Sequence, residues 1–146
     1  MVPVFEHIFM GQSLYEQTVM PVCKAYGLTY MEFTVLMFLA NNPQWDTAAQ
    51  IVKIRRLTKS HVSISVKGLQ ERGLVEGHYF PGNQKTLHLH ITQAAKSVVE
   101  AGQTAQMEFG AKLLRGFSEE EVAQLQSLVE KLQENMKQEE VTNAGK

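Results

Sequence analysis

Apolar residues recur along most of this chain at three- and four-residue intervals, and one central stretch, residues 74–91, switches to alternation. The first spacing predicts helices packed on one face, the second a pair of half-exposed strands. Residues 5–26 carry Phe5, Ile8, Phe9, Leu14, Val19, Val22 and Tyr26 at roughly helical spacing and stop at Gly27. Pro21 lies inside that run and is expected to kink it. A second helix is announced by Thr29 and Glu32 in a T-x-x-E capping box. It carries Phe33, Leu36, Met37 and Ala40 and is halted by Asn41-Asn42-Pro43. A third, short one starts near Asp46–Thr47 and uses Ile51 and Ile54 as anchors through about Arg55.

The next stretch, LTKSHVSISVKGL, can be scored two ways. As a strand it offers five alternating residues and no nearby turn partner. As a helix it places Val62, Val66 and Leu69 at i, i+4 and i+7, with Thr58 as N-cap and Gly73 as the stop. Length and capping favour the helix, although its β-branched residues lower its intrinsic propensity. Two β-rich runs, LVEGHYF and TLHLHIT, then flank the turn formers of PGNQ and predict a hairpin. Thr92 is expected to cap a helix reaching about Arg115. FSEEEV starts the last one, with Ser118 as N-cap, Glu121 at N3, a Phe117–Val122 staple, and a stripe of Leu125, Leu128, Val129, Leu132 and Met136.

The order is four helices, a hairpin and two helices: a mainly α chain with a small β-hairpin wing. Two short helices joined by a few residues and followed by a hairpin make a winged helix-turn-helix plan. With Val62, Val66 and Leu69 turned inward, the outward side of the fourth helix carries Lys59, Ser60, His61, Ser63, Ile64 and Lys67. Short hydroxyls and a few long cations, with no acid among them, suit a helix lying in the major groove. Thr58, Arg55 and Arg56 stand at its entrance, the arginines placed to clamp a phosphate backbone.

Charge sharpens this picture where composition alone does not. The 146 residues are 44% hydrophobic and carry a net charge of −1, an ordinary balance for one globular domain or a domain with an added oligomerisation element. Between Ile51 and His90, however, seven basic side chains face two acidic ones, a local balance of +5 that leaves −6 elsewhere. A basic centre in an acidic frame points to a local polyanion contact. The longest apolar run, Val35–Ala40, is far short of the ~20 residues of a membrane span. The first ten residues lack the basic start of a secretory signal, and one cysteine allows no intrachain disulfide. A soluble cytoplasmic protein with no membrane partner is expected.

From Leu28 to about Glu121 the sequence resembles the MarR family of bacterial transcription regulators. The pieces that carry the resemblance are LTYMEFTVL, the block DTAAQIVKIRRLTKSHVSISVKGLQERGLVE, a wing closing in HIT, and GFSEEEV. The most specific is the fourth helix running into Leu69, Gly73, Leu74 and Val75 before a hairpin that ends in Ile91-Thr92. Together they cover about two thirds of the chain. The resemblance implies residues 1–27 as an N-terminal dimerisation helix, 28–92 as the DNA-binding core with its wing at about 74–91, and 93–140 as C-terminal dimerisation helices. Residues 141–146 are expected to be a disordered tail. It further implies a homodimer on a pseudo-palindromic double-stranded operator, usually a repressor released by a small phenolic or lipophilic effector.

Two departures from the family pattern concern DNA reading. Where the wing tip of relatives reads D-x-R, this chain has Asn83, Gln84 and Lys85, which keeps a charge but loses the planar guanidinium. Ile64 stands where many relatives carry Arg, and hints at contact with a thymine methyl group. The family's effector crevice, between the dimerisation helices and the winged core, makes His7, Met10, Tyr15, Tyr30 and Phe38 candidate ligand contacts. Cys23 reads as a buried structural residue, since the register of peroxide-sensing relatives puts their cysteine near Phe5. His78, His88 and His90 invite a metal, but Glu76 is their one nearby companion in sequence. A solvated strand face is the expectation, with no metal and no cofactor. No nucleophile elbow, HExxH, phosphate loop or paired-cysteine motif is present, so no catalytic residue is assigned. The competing readings are a metal-dependent enzyme built on the hairpin histidines and a winged-helix protein-interaction adaptor.

Overall fold

A computed structural model of the chain describes residues 3–145, without the side chains of Pro3, Val4, Phe5 and Phe9. The apolar contributions expected of Phe5 and Phe9 therefore lie outside the described residues, as do residues 1, 2 and 146. The elements are α1 (Pro3–Tyr26), α2 (Tyr30–Asn41), α3 (Ala48–Arg55), α4 (Lys59–Glu71), β1 (Val75–Phe80), β2 (Asn83–Ile91), one 3-10 turn (Gln93–Ala95), α5 (Lys96–Leu113) and α6 (Glu119–Ala144). They divide into two compact units, residues 1–109 and 110–146.

In the first unit α2 is the centre. Its Phe33 and the run Val35–Leu39 are all buried, so it is enclosed rather than amphipathic. It is a wall shared by two apolar clusters. Val35, Leu36, Phe38 and Leu39 meet Ile51 of α3, Val62, Val66 and Leu69 of α4, and Val75 and Leu89 of the hairpin. Phe33 and Met37 meet Val19 and Cys23 of α1 and Ala105 of α5. Helix α5 comes close because Gly102 has no side chain. A Cβ there would lie 2.6 Å from Met37 Sδ and 3.0 Å from Phe33 Cε2.

The helix starts behave as their sequences dictate, with two exceptions. Thr47 and Gln50 cap α3 reciprocally, and the Thr58 hydroxyl accepts from the His61 amide at 3.3 Å to open α4. At α2 only half of the expected box forms. Thr29 accepts from the Glu32 amide at 3.0 Å, but the Glu32 carboxylate turns to Arg72 Nη1 at 3.4 Å instead of back to the cap. Arg72 also donates to the Gly27 carbonyl, tying the end of α4 to the end of α1. Thr92 is the second exception. Its hydroxyl donates to the Gly73 carbonyl, and a 3-10 turn rather than a threonine cap leads into α5. Helix α1 runs without a break through Pro21, whose ring removes an amide donor and crowds the carbonyl four residues back.

The hairpin is antiparallel, pairing Val75 with Ile91, Glu76 with His90, Gly77 with Leu89 and His78 with His88 before an irregularity ahead of Phe80–Asn83. Its tip is the two-residue turn Pro81-Gly82, where Gly82 takes φ 81°, open to glycine without strain. In the second unit, Ser118 and Glu121 form the full capping box of α6. No residue of α6 is buried, and Leu125, Leu128, Val129, Leu132 and Met136 are all exposed. Contrary to the expected disordered tail, α6 continues through Ala144, with Thr142 Oγ1 donating to the Gln138 carbonyl at 3.0 Å. No glycine or proline interrupts that segment before Gly145.

Replacing Gly102 by Val should overfill the α2–α5 contact and lower unfolding free energy by about 1–3 kcal/mol, measured as a lower denaturation midpoint in urea.

Candidate nucleic-acid interface

The geometry of the interface begins with the rotation of α4 about its axis. Val62, Ser65, Val66 and Leu69 are its buried residues. Ser65 was not anticipated on that face; its small side chain fits at i+3 from Val62, and it is 4% exposed. At 3.6 residues per turn, Ser60, Ile64 and Lys67 fall opposite that face, with Lys59, Ser63 and His61 on its flanks. All six are exposed, Ile64 by 69%. The first acid of α4 is Glu71, in its last turn. The outward row is thus a cationic and hydroxyl-bearing surface with one apolar residue near its centre.

Both arginines ahead of α4 are exposed, and Arg56 is the one non-glycine residue at positive φ among the described residues, at 57°. It ends α3 in a left-handed conformation, and the Leu57 amide then reaches back to the Val52 carbonyl. This places the turn between α3 and α4, with Arg55 and Thr58 on either side, at the entrance of the outward row. Arg72 does not join this surface. Its guanidinium is taken by Glu32 and Gly27, so it belongs to the internal scaffold despite lying in the basic stretch.

The wing is fastened to the helix-turn-helix by Asp46, which immediately precedes the Thr47 cap. The Asp46 carbonyl accepts from the Leu89 amide at 2.7 Å, and its carboxylate lies 3.0 and 3.1 Å from His88 Nδ1. Phe80 stacks on His88 with ring centroids 4.0 Å apart, and His78 lies 5.8 Å from His88 and 5.4 Å from His90. His90 Nε2 is 3.2 Å from the Glu76 carboxylate. The histidine face is therefore only partly the solvated strand face expected, because His88 is drawn under Phe80 and held by Asp46. Among the described residues, no group of three or more His, Cys, Asp or Glu side chains has an arrangement able to hold a metal ion. At the tip, Asn83 is occupied with its own turn: its Oδ1 accepts from the Lys85 and Thr86 amides at 3.1 and 3.3 Å. Gln84 and Lys85 remain exposed.

The MarR family model matches residues 26–78, from the end of α1 into β1. The fold of the chain also matches solved structures. A protein described as a MarR family transcriptional regulator from Listeria monocytogenes, complexed with a 26mer DNA, superposes with a TM-score of 0.80 at 21% identity, over 91% of this chain and 87% of that one. Residues 26–78 thus resemble the MarR family, and the fold is of that family's type. A cysteine-to-serine variant of MarR from E. coli, complexed with operator DNA, gives 0.70 at 18% identity over 90% and 94% of the two chains. BpsR from Bordetella bronchiseptica, solved for the regulation of its DNA binding by 6-hydroxynicotinic acid, gives 0.70 at 17% identity over 90% and 98%. These likenesses show a winged helix-turn-helix fold of the MarR type for the chain.

The five candidate ligand contacts do not converge. Phe38 lies in the core, 6% exposed and stacked on Trp45, a partner with no signal in the local pattern. His7 and Met10 are exposed on α1. Tyr15 and Tyr30 alone pack beside the same cluster, around Cys23, Phe33 and Met37. Tyr15 accepts from Gln106 Nε2 at 2.8 Å, and Gln106 in turn accepts from Asn41 at 3.0 Å, so a polar chain links α1, α5 and α2. Burial pushes the Tyr30 hydroxyl above its ordinary pKa, with Tyr15 and Glu16 acting in the same direction. Burial also raises the Cys23 thiol, in keeping with a structural cysteine. A shallow cavity of about 450 Å³ in residues 110–146 is lined by other residues, among them Arg115, Phe117, Leu125 and Leu128.

A double-mutant cycle with Asp46→Ala and His88→Ala should give a favourable coupling of about 0.5–1.5 kcal/mol in urea unfolding. Additive effects of the two substitutions would remove the Asp46 carboxylate from the wing's fastening and leave its carbonyl bond to Leu89 alone.

Proposed function

We propose that this protein is a homodimeric, sequence-specific DNA-binding transcription regulator acting in the cytoplasm, a repressor whose grip on its operator is released by a small phenolic or lipophilic molecule. The observation that carries the reading is the outward row of α4: cations and hydroxyls without an acid from Lys59 through Lys67, on a helix whose opposite face is buried. That is the composition a major-groove helix needs, because phosphates repel carboxylates and base edges accept and donate hydrogen bonds. In this reading Ser60, His61, Ser63, Ile64 and Lys67 face base edges or adjacent phosphates. Arg55, Arg56, Thr58 and Lys59 hold the backbone, and Gln84 and Lys85 reach from the wing. Asn83 acts indirectly, by shaping the turn. No catalytic role is assigned to any residue.

Two DNA complexes among the similar structures, those from Listeria monocytogenes and E. coli, support the partner. The dimer is supported by apolar side chains that find no cover within the chain: Ile8, Met10 and Leu14 on α1, and the Leu125, Val129, Leu132 and Met136 series on α6. Exposed apolar series of this kind, one on each helix, mark association surfaces. The effector reading is supported by BpsR, whose DNA binding is regulated by 6-hydroxynicotinic acid, and here Tyr15 and Tyr30 are the residues best placed to meet such a ring.

Fluorescence anisotropy with duplexes selected from genomic fragments should show sequence-preferring binding whose log affinity falls linearly with log salt. Lys67→Glu should weaken it about tenfold or more and flatten the salt slope. Equal affinity for random duplex at moderate salt overturns the specificity. Light scattering should give twice the chain mass, and Leu125→Glu with Leu132→Glu should shift the protein toward monomer.

A further inference from the structure

We infer that Ile64 reads thymine through its 5-methyl group, fixing an A·T pair at one symmetry-related position in each half of the operator. This rests on the DNA-binding reading above and adds to it the one base-specific contact the surface of α4 singles out.

An isolated exposed isoleucine is ordinary on a protein surface. Its location is what distinguishes this one. Ile64 is 69% exposed and stands opposite Val62, Val66 and Leu69, between Ser60 one turn before it and Lys67 one turn after. It is the one apolar side chain on the outward side of Lys59–Lys67, where each of its neighbours carries a hydrogen-bonding group. The charge of that surface selects a polyanion and argues against an apolar protein partner, for which Lys59 and Lys67 would have to be desolvated. Inside a major groove a hydrocarbon side chain has one complementary feature on an unmodified base pair, the thymine methyl.

The backbone conformation adds rigidity. A β-branched residue inside a helix has one strongly preferred χ1, so Ile64 holds its Cγ branches in a preset direction and loses little freedom on contact. The rotation of α4 that exposes it is fixed by four buried residues on the other side, including Ser65. Ile64 therefore does not have to move to meet a base, and contact depends on which base is there. The discrimination expected from covering one methyl group is about fourfold per half-site, modest beside a bidentate hydrogen-bond pair, and additive over two half-sites.

The test uses the full-length protein and the duplex recovered by selection from random sequence. Thymines are replaced one at a time, in symmetric pairs, by deoxyuridine, which removes the methyl group and leaves every hydrogen-bonding edge intact. The wild-type protein should lose about fourfold to fifteenfold in affinity at one symmetric pair and little elsewhere. Ile64→Ala, an exposed substitution that favours the helix, should bind that duplex and its deoxyuridine counterpart equally. Placing 5-methylcytosine at the same position should recover part of the affinity lost on changing thymine to cytosine, for the wild type and not for Ile64→Ala. Specific binding with no deoxyuridine-sensitive position, or the same sensitivity in Ile64→Ala, overturns the role of Ile64 while leaving the regulator reading in place. Failure of the selection to enrich any sequence overturns both.

Discussion

The rotational setting of α4 about its own axis is the constraint on which the proposed DNA surface depends. Val62, Val66 and Leu69 are buried against α2 and the hairpin, each contributing on the order of 1.5–3 kcal/mol through removal of apolar area from water. A turn of the helix by one residue would carry these side chains toward solvent and bring a serine or a lysine toward the apolar wall. The rotation is therefore held by a penalty far larger than any single contact with DNA. Its approach to α2 is held as well. At Gly68 a Cβ would lie 3.0 Å from Glu32 Oε1, so the carboxylate that pairs with Arg72 fills the space a larger residue would need.

Helix α2 carries this order in two directions. On one side it supports α3, α4 and the wing; on the other it packs on α1 and α5 through Phe33, Met37 and the gap at Gly102. Leu36 and Met37 are neighbours in the chain yet belong to different clusters. A molecule settling beside Tyr15 and Tyr30 would press on the same helix that backs the proposed DNA surface. Close-packed interiors transmit such displacements rather than absorbing them. The polar chain from Tyr15 through Gln106 to Asn41 crosses the same helices and gives that side of α2 a hydrogen-bonded frame.

The features legible in the sequence were those set by neighbours a few residues apart. Thr47, Thr58 and Ser118 announce their helices because a cap is a contact over three residues, and the change from helical spacing to alternation after Gly73 marks the wing. The inward face of α4 was readable from Val62, Val66 and Leu69, though Ser65 was missed because a buried serine leaves no hydrophobic mark. What stayed hidden were partners distant along the chain. Asp46 meets His88 across 42 residues, Glu32 forsakes its own cap for Arg72, and Phe38 stacks on Trp45. No spacing rule connects such pairs, because they are joined by how helices cross and not by how they repeat. The continuation of α6 through Ala144 was missed for a different reason, since a polar helix without a buried face resembles a tail in composition.

The Asp46 fastening carries a consequence for the nucleic acid rather than for the protein. One residue grips the wing strand through its carbonyl and its carboxylate, and the next caps α3. The span from the wing tip to the outward row of α4 is then a fixed gauge, like the opening of a set caliper. A duplex that engages both must have a groove-to-backbone distance that matches the gauge, or must bend until it does. Sequences that are cheap to deform to that width are favoured even at base pairs no side chain touches. Part of the operator's identity would thus be a stiffness, written between the positions that the two arms reach.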